Sequence, residues 1–143
     1  MKLYIAGPMS GIPQFNFPAF FAAGDALRAA GYEVVNPAEI DHEEDKGLAM
    51  KSKDGQLSKS GHRKTWGDFL MRDVKLIADQ VDGIAVLPGW ENSRGARLEC
   101  FVAATVQKPV FNYEDMNVIP PEVLMDIISQ HVVNQTDTKR RYG

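Results

Sequence analysis

Residues 82–107, DGIAVLPGWENSRGARLECFVAATVQ, decide the fold. The run GIAVLP shows no alternation of apolar and polar positions, so both faces of the strand it forms are covered. A turn of small and polar residues follows, and Ser93-Arg94-Gly95 opens a helix from Arg94 to about Gln107. Strand, turn and helix in that order are half of a parallel crossover unit. Upstream the unit recurs: Leu3 to Ala6 is a strand and GPMSG at residues 7–11 a glycine-rich turn. Asn16 is placed to cap the next helix, with Pro18 in its first turn and a stripe of Phe17, Phe20, Phe21, Gly24 and Leu27 that ends at Gly31. YEVVNP at 32–37 is a second strand, Thr65 caps a helix to about Asp79, PVFN at 109–112 is a fourth strand, and Pro121 to His131 is a last helix.

The pattern predicts an α/β fold, a three-layer doubly wound sheet of flavodoxin- or Rossmann-like type, mostly parallel and of four to five strands. It forms a single domain over residues 1–133, with a polar tail at 134–143. Residues 41–64, including DHEEDKG and KSKDGQLSKSGHRK, carry almost no periodicity and are expected to be a polar insertion, either a lid or disordered. Ligands in such folds sit beyond the carboxyl ends of the strands, which selects the turns GPMSG, NPAEI and PGWENSRG.

Composition narrows the function. With 143 residues, 44% of them apolar, the chain has one core's worth of material. A formal charge of −3 and a pI near 5.6 argue against a broad basic face for duplex nucleic acid. Cys100 is the only cysteine, which removes an intrachain disulfide and a cysteine metal cage and fits a reducing, cytoplasmic setting. MKLYIAGPMSG is too short of an apolar run for a secretion signal, and no stretch is long enough to span a membrane, so no membrane partner is expected.

Two acids are out of place. Residues three and four apart on a helix share a face. Glu99 shares its face with Gly95, Ala96, Val102 and Ala103, and its side chain leans back toward the Ser93-Arg94-Gly95 turn. The positive end of the helix dipole is expected to favour its ionised form, which suits a nucleophile. Asp73 shares a stripe with Trp66, Phe69, Leu70, Leu76 and Ile77. A carboxylate there is paired, neutral or functional, and Arg72, Arg94 and Arg97 are available as partners. Two inward acids meeting at one cleft are what glycosidic chemistry needs. Tyr4 reads as core with its hydroxyl satisfied, and His42, His62 and His131 as chemically inert. Trp90 either closes its loop or stacks on a base, the latter being favoured by its place after a strand. GPMSG and the NSRG turn, with the Ser93 hydroxyl, the Arg94 charge and the amides around Gly95, together suit a 5′-phosphate.

YIAGPM, FLMRDVKLI, DGIAVLPGW and SRGARLE together resemble the nucleoside 2-deoxyribosyltransferase-like family, which includes the 2′-deoxynucleoside 5′-monophosphate N-glycosidases. The likeness is to its short members and covers most of the chain outside residues 41–64 and the tail. It implies that Glu99 attacks C1′ of the sugar, that Asp73 protonates or positions the base, and that Tyr4 orients the glutamate. It further implies that Met9, Ser10 and Gly11, beside Gly7, and Ser93 with Gly95 hold the phosphate. Members acting on unphosphorylated nucleosides tend to carry an aspartate at the Ser93 position, so Ser93 favours a monophosphate. The arginine often found in the first turn is missing from GPMSG, and Arg94 or Arg97 stands nearby instead. A homodimer or larger homo-oligomer, with a neighbouring subunit completing the pocket, is also implied.

The expectation is thus a nucleotide N-glycosidase or deoxyribosyltransferase with catalytic Glu99, Asp73 and Tyr4 and substrate-binding Gly7, Met9, Ser10, Gly11, Trp90, Ser93, Arg94 and Gly95, using no metal and no cofactor. Two alternatives stand beside it: a non-catalytic nucleotide-binding sensor or accessory protein, and an enzyme cleaving the glycosidic bond of an NAD-type dinucleotide.

Overall fold

Alternate residues of the first strand, β1 (Lys2–Ala6), enter different cores. Leu3 and Ile5 pack with Phe17, Phe20, Ala23 and Leu27 on one side of the sheet, while Tyr4 and Ala6 pack with Ile77, Ala96, Cys100 and Ala103 on the other. β3 (Gly83–Val86) divides in the same way, Ala85 with the first group and Ile84 and Val86 with the second. Both faces being apolar, each is covered by helices, and the result is the three-layer α/β architecture expected. The computed structural model describes the backbone of residues 1–142 and the side chains through Asn134.

The sheet has four strands in the order β2-β1-β3-β4, all parallel, with β2 at Glu33–Val35 and β4 at Val110–Asn112. Successive crossovers leave β1 toward opposite edges, so the switch point of the doubly wound sheet lies between the carboxyl ends of β1 and β3. Gly7 sits there: a Cβ on it would lie 2.9 Å from Leu87 Cβ, so the chains leaving the two strands approach as closely as they do because residue 7 has no side chain.

Helices α1 (Phe17–Ala29) and α2 (Pro37–Ile40) cover one face, and α4 (Trp66–Gln80), α5 (Arg94–Thr105) and α6 (Pro121–Tyr142) the other. The α4 cap forms as the sequence predicts, and reciprocally: Thr65 Oγ1 accepts from the Asp68 amide at 3.1 Å and Asp68 Oδ2 from the Thr65 amide at 2.8 Å. Ser93 Oγ likewise caps α5 by accepting from Ala96 N at 3.2 Å.

Three local expectations are corrected. Asn16 precedes α1 but does not cap it; with φ near +61° it closes a left-handed turn formed with Gln14 and Phe15, and its Nδ2 donates to the Pro8 carbonyl at 3.0 Å. Residues 41–64, expected as a lid or disordered, carry helical structure of their own. They form α3 (Glu43–Lys51) and a 3-10 turn at Leu57–Lys59, tied to the first strand's turn by Gly11 N to Gly55 O and Gln14 N to Ser52 O, both 2.8 Å. Gly55 makes this contact possible, since at φ +65° a Cβ would stand 2.1 Å from the Ile12 carbonyl oxygen. Finally, α6 continues through most of the segment expected as a polar tail. Among the described residues no helix is long and apolar enough to cross a membrane.

Candidate active site

A cavity of about 730 Å³ opens at the switch point. Its floor comes from the turns after β1 (Gly7 to Ser10) and β3 (Gly89, Asn92, Ser93), one wall from α4, and its roof from the 41–64 segment through Asp41, Ala49, Leu57 and His62. The two anomalous acids both face it, Asp73 from α4 and Glu99 from α5.

Tyr4 lies beneath them, 1% exposed, and its hydroxyl donates to Glu99 Oε2 at 2.5 Å with the Asp73 carboxyl close beside it. One hydroxyl thus adjoins both carboxyl groups. Burial, the two carboxyls and hydrogen bonding raise the Tyr4 pKa well above that of an ordinary phenol, so it stays protonated and acts as a donor. Glu99 is 6% exposed, and burial, reinforced by the Asp73 charge and opposed by the Tyr4 hydrogen bond and Arg72, pushes its pKa up to about 8. Burial also raises Asp73, against the pull of Arg72 and Tyr4. The expectation that the helix dipole keeps Glu99 ionised is therefore corrected: Glu99 sits in the second turn of α5, where the dipole has faded and desolvation decides. Burial thus favours the protonated form of Glu99 in the empty site.

Arg72 fixes the other side of Asp73, with Nε at 3.0 Å and Nη2 at 2.9 Å from Oδ1. Its Nη1 donates to Asp41 Oδ1, and its guanidinium lies 5.5 Å from the centre of the Phe69 ring. Pairing with an arginine and facing the cavity, posed by the sequence as alternatives for Asp73, both hold.

At the cavity mouth Ser93, Arg94 and Gly95 line the wall as expected. The amides of Arg94 and Gly95, first in α5, have no intrahelical acceptor. The Arg94 guanidinium stacks 5.2 Å from the Trp66 ring centre. Met9 and Ser10 line the same cavity with Gly7. Two expected residues lie elsewhere. Gly11 is spent on the roof contact, its amide bound to Gly55 O. Trp90, 6% exposed, packs in the core with Ala96, Cys100 and Leu124, so its indole closes the loop, while the indole that faces the cavity is Trp66, 41% exposed. Arg97 is buried and donates to the Glu91 carbonyl at 2.9 Å, away from the lining.

The sequence reading missed Asp41, His62, Trp66 and Phe69 as lining residues. His62 contributes its ring edge, since its nitrogens contact Ser60 Oγ at 2.5 Å and the Asp45 carbonyl at 3.1 Å. The one usable signal was the double aromatic Trp66 and Phe69 on the same α4 face as Asp73. Among the described residues no group of three or more His, Cys, Asp or Glu side chains is placed to hold a metal ion.

A model of the DUF4406 family, described as a domain of unknown function, matches residues 1–112. The chain belongs to the DUF4406 family. The match runs from the first strand through β4, so every residue described at the site lies within the DUF4406 region, and α6 lies beyond it. No curated protein and no solved structure matches the chain.

Proposed function

We propose that this DUF4406 chain cleaves the N-glycosidic bond of a nucleoside or deoxynucleoside 5′-monophosphate, with Glu99 as the nucleophile at C1′. The observation that carries the reading is the Glu99–Tyr4–Asp73 arrangement facing one cavity at the switch point. Two carboxyls beside one hydroxyl can reach the same sugar, as a pair that works through a covalent glycosyl intermediate must.

The chemistry follows from a pair that holds one proton. To carry that proton from Glu99 to Asp73 the Tyr4 hydroxyl, which donates to Glu99 in the empty site, turns to donate to Asp73 and accepts the Glu99 proton as it gives up its own. A Glu99 oxygen then bonds to C1′ as the C1′–N bond breaks, and the bond's electron pair leaves on the base, which takes the proton from Asp73. Water, or a second base, next displaces Glu99 from C1′ and gives its proton to the Asp73 carboxylate. Arg72 steadies that carboxylate while it is charged.

The phosphate is assigned to the Ser93 hydroxyl, the amides of Arg94 and Gly95 and the Arg94 guanidinium, with Met9 and Ser10 lining the same cavity. The base is assigned to the Trp66 and Phe69 wall, in place of Trp90. No metal or cofactor takes part in this scheme. The family resemblance adds a homo-oligomer in which a neighbour completes the pocket, and the exposed Leu98 and Phe101 of α5 offer it apolar surface.

One observation favours a second reading. A proton on Glu99 in the empty site is what a non-catalytic nucleotide-binding protein would also tolerate. Incubating the wild type and Glu99→Gln with all common ribo- and deoxyribonucleoside monophosphates, and reading free base by chromatography, separates the two. Base released by the wild type and lost in the variant supports cleavage. Tight binding with no base released supports the sensor.

A further inference from the structure

We propose that Asp41 is a positioning residue of the carboxyl pair: by holding Arg72 it sets how much of the guanidinium charge reaches Asp73 and Glu99. The inference goes beyond the proposed reaction and rests on it only for its kinetic consequence.

Asp41 stands where the chain leaves α2 for the roof, its side chain 6% exposed and turned into the cavity. The Arg72 guanidinium serves two carboxylates at once, Nη1 on Asp41 and Nε and Nη2 on Asp73. The Phe69 ring covers it, so its plane is fixed from three sides. The Asp41 charge beside the guanidinium offsets part of the positive potential that Arg72 puts on the pair. The titratable and charged groups around the pair are Tyr4 from β1, Arg72 from α4, Asp41 and His62 from the roof, and Arg94 on Glu99's own helix. Removing the Asp41 charge leaves Arg72 wholly to the pair, so both carboxyls ionise more readily. Removing Arg72 does the reverse. A merely structural prop behaves differently, because loosening the site from either side admits water and eases ionisation in both variants.

The test is a carbon NMR titration of the protein labelled at the glutamate carboxyl carbon, with the Glu99 signal assigned by its absence in Glu99→Gln. Asp41→Asn keeps an acceptor for Arg72 and removes only the charge. It is expected to lower the Glu99 midpoint by about one pH unit, the size of effect a unit charge has across a side-chain layer. Arg72→Gln is expected to raise it by about as much. A midpoint in Asp41→Asn that stays within about 0.3 pH units of the wild type, or rises, overturns the proposal, as does a fall in both variants. If Arg72→Gln does not fold, Asp41→Glu, which keeps the charge but disturbs the fit, takes its place: it is expected to leave the midpoint within about 0.3 pH units of the wild type, and a fall as large as that of Asp41→Asn overturns the proposal. Where base release is found, Asp41→Asn moves the alkaline limb of the kcat profile to lower pH by the same amount with KM within about twofold. Absence of base release defeats the proposed reaction and leaves the titration as the test of the clamp.

Discussion

Replacing the central acid should make this protein more stable, and only at neutral and alkaline pH. Glu99 titrates near 4.5 when the chain is unfolded and at about 8 in the fold, because burial penalises its charge. A carboxyl with a raised folded pKa holds more protons folded than unfolded between those values, so its contribution is intact below pH 4.5 and is lost as pH rises through about 8. Integrated from pH 5 to pH 8, the loss is roughly 3 to 4 kcal/mol. Glu99→Gln keeps an acceptor for the Tyr4 hydroxyl and never ionises, so it escapes the loss. At pH 5 the variant and the wild type should unfold within about 1 kcal/mol of each other; at pH 8 the variant should be ahead by about 3 to 4 kcal/mol, or about 10 °C in Tm. Urea titrations monitored by circular dichroism at four or five pH values measure this directly. Stability curves that run parallel across the range would refute the claim that Glu99 is held in its neutral form, and with it the one-proton pair.

The other expectations concern separate parts of the site. Ser93→Asp keeps a good helix cap but puts a carboxylate at the phosphate position, so KM for a monophosphate should rise at least tenfold while Tm changes little; an unchanged KM removes the phosphate from that turn. Gly55→Ala forces a Cβ toward the Ile12 carbonyl at a positive φ and should cost about 2 kcal/mol or more by urea unfolding, whereas a neutral result contradicts the roof latch. Nucleotide quenching of tryptophan fluorescence should survive Trp90→Phe and vanish in Trp66→Phe; the opposite pattern would return the base to Trp90. Tyr4→Phe deprives Glu99 of its donor and breaks the path to Asp73, so kcat should fall on the order of a hundredfold with the fold retained by circular dichroism.

How far the sequence carried depends on which forces leave a periodic trace. Strands buried on both faces and helices with apolar stripes do, and so β1, β3, α4 and α5 were legible to within a few residues, with Thr65 and Ser93 as their caps. A charged residue on an apolar stripe leaves a trace too, which is why Glu99 and Asp73 stood out. The roof left none. α3 buries only Asp45 and Ala49 and is held by an ion pair from Asp45 to Lys64 at 2.8 Å and by backbone bonds, none of which alters hydrophobic spacing. The exchange of Trp90 for Trp66 has the same root. Both follow turns near the site, and only the packing of Ala96 and Leu124 around Trp90 shows which indole is core. Asn16 misled because its residue type suits a cap, whereas the left-handed turn of residues 14–16 is dictated by the contact of Gln14 with Ser52 and Met50, far along the chain.

The most direct measurement is a rapid acid quench of the protein with a nucleoside monophosphate that it turns over, followed by mass spectrometry of the intact chain and its peptides. The account predicts a sugar-phosphate adduct on the peptide carrying Glu99, appearing with a burst of free base and absent from Glu99→Gln. Free base released with no adduct, or an adduct on another residue, would contradict Glu99 as the nucleophile.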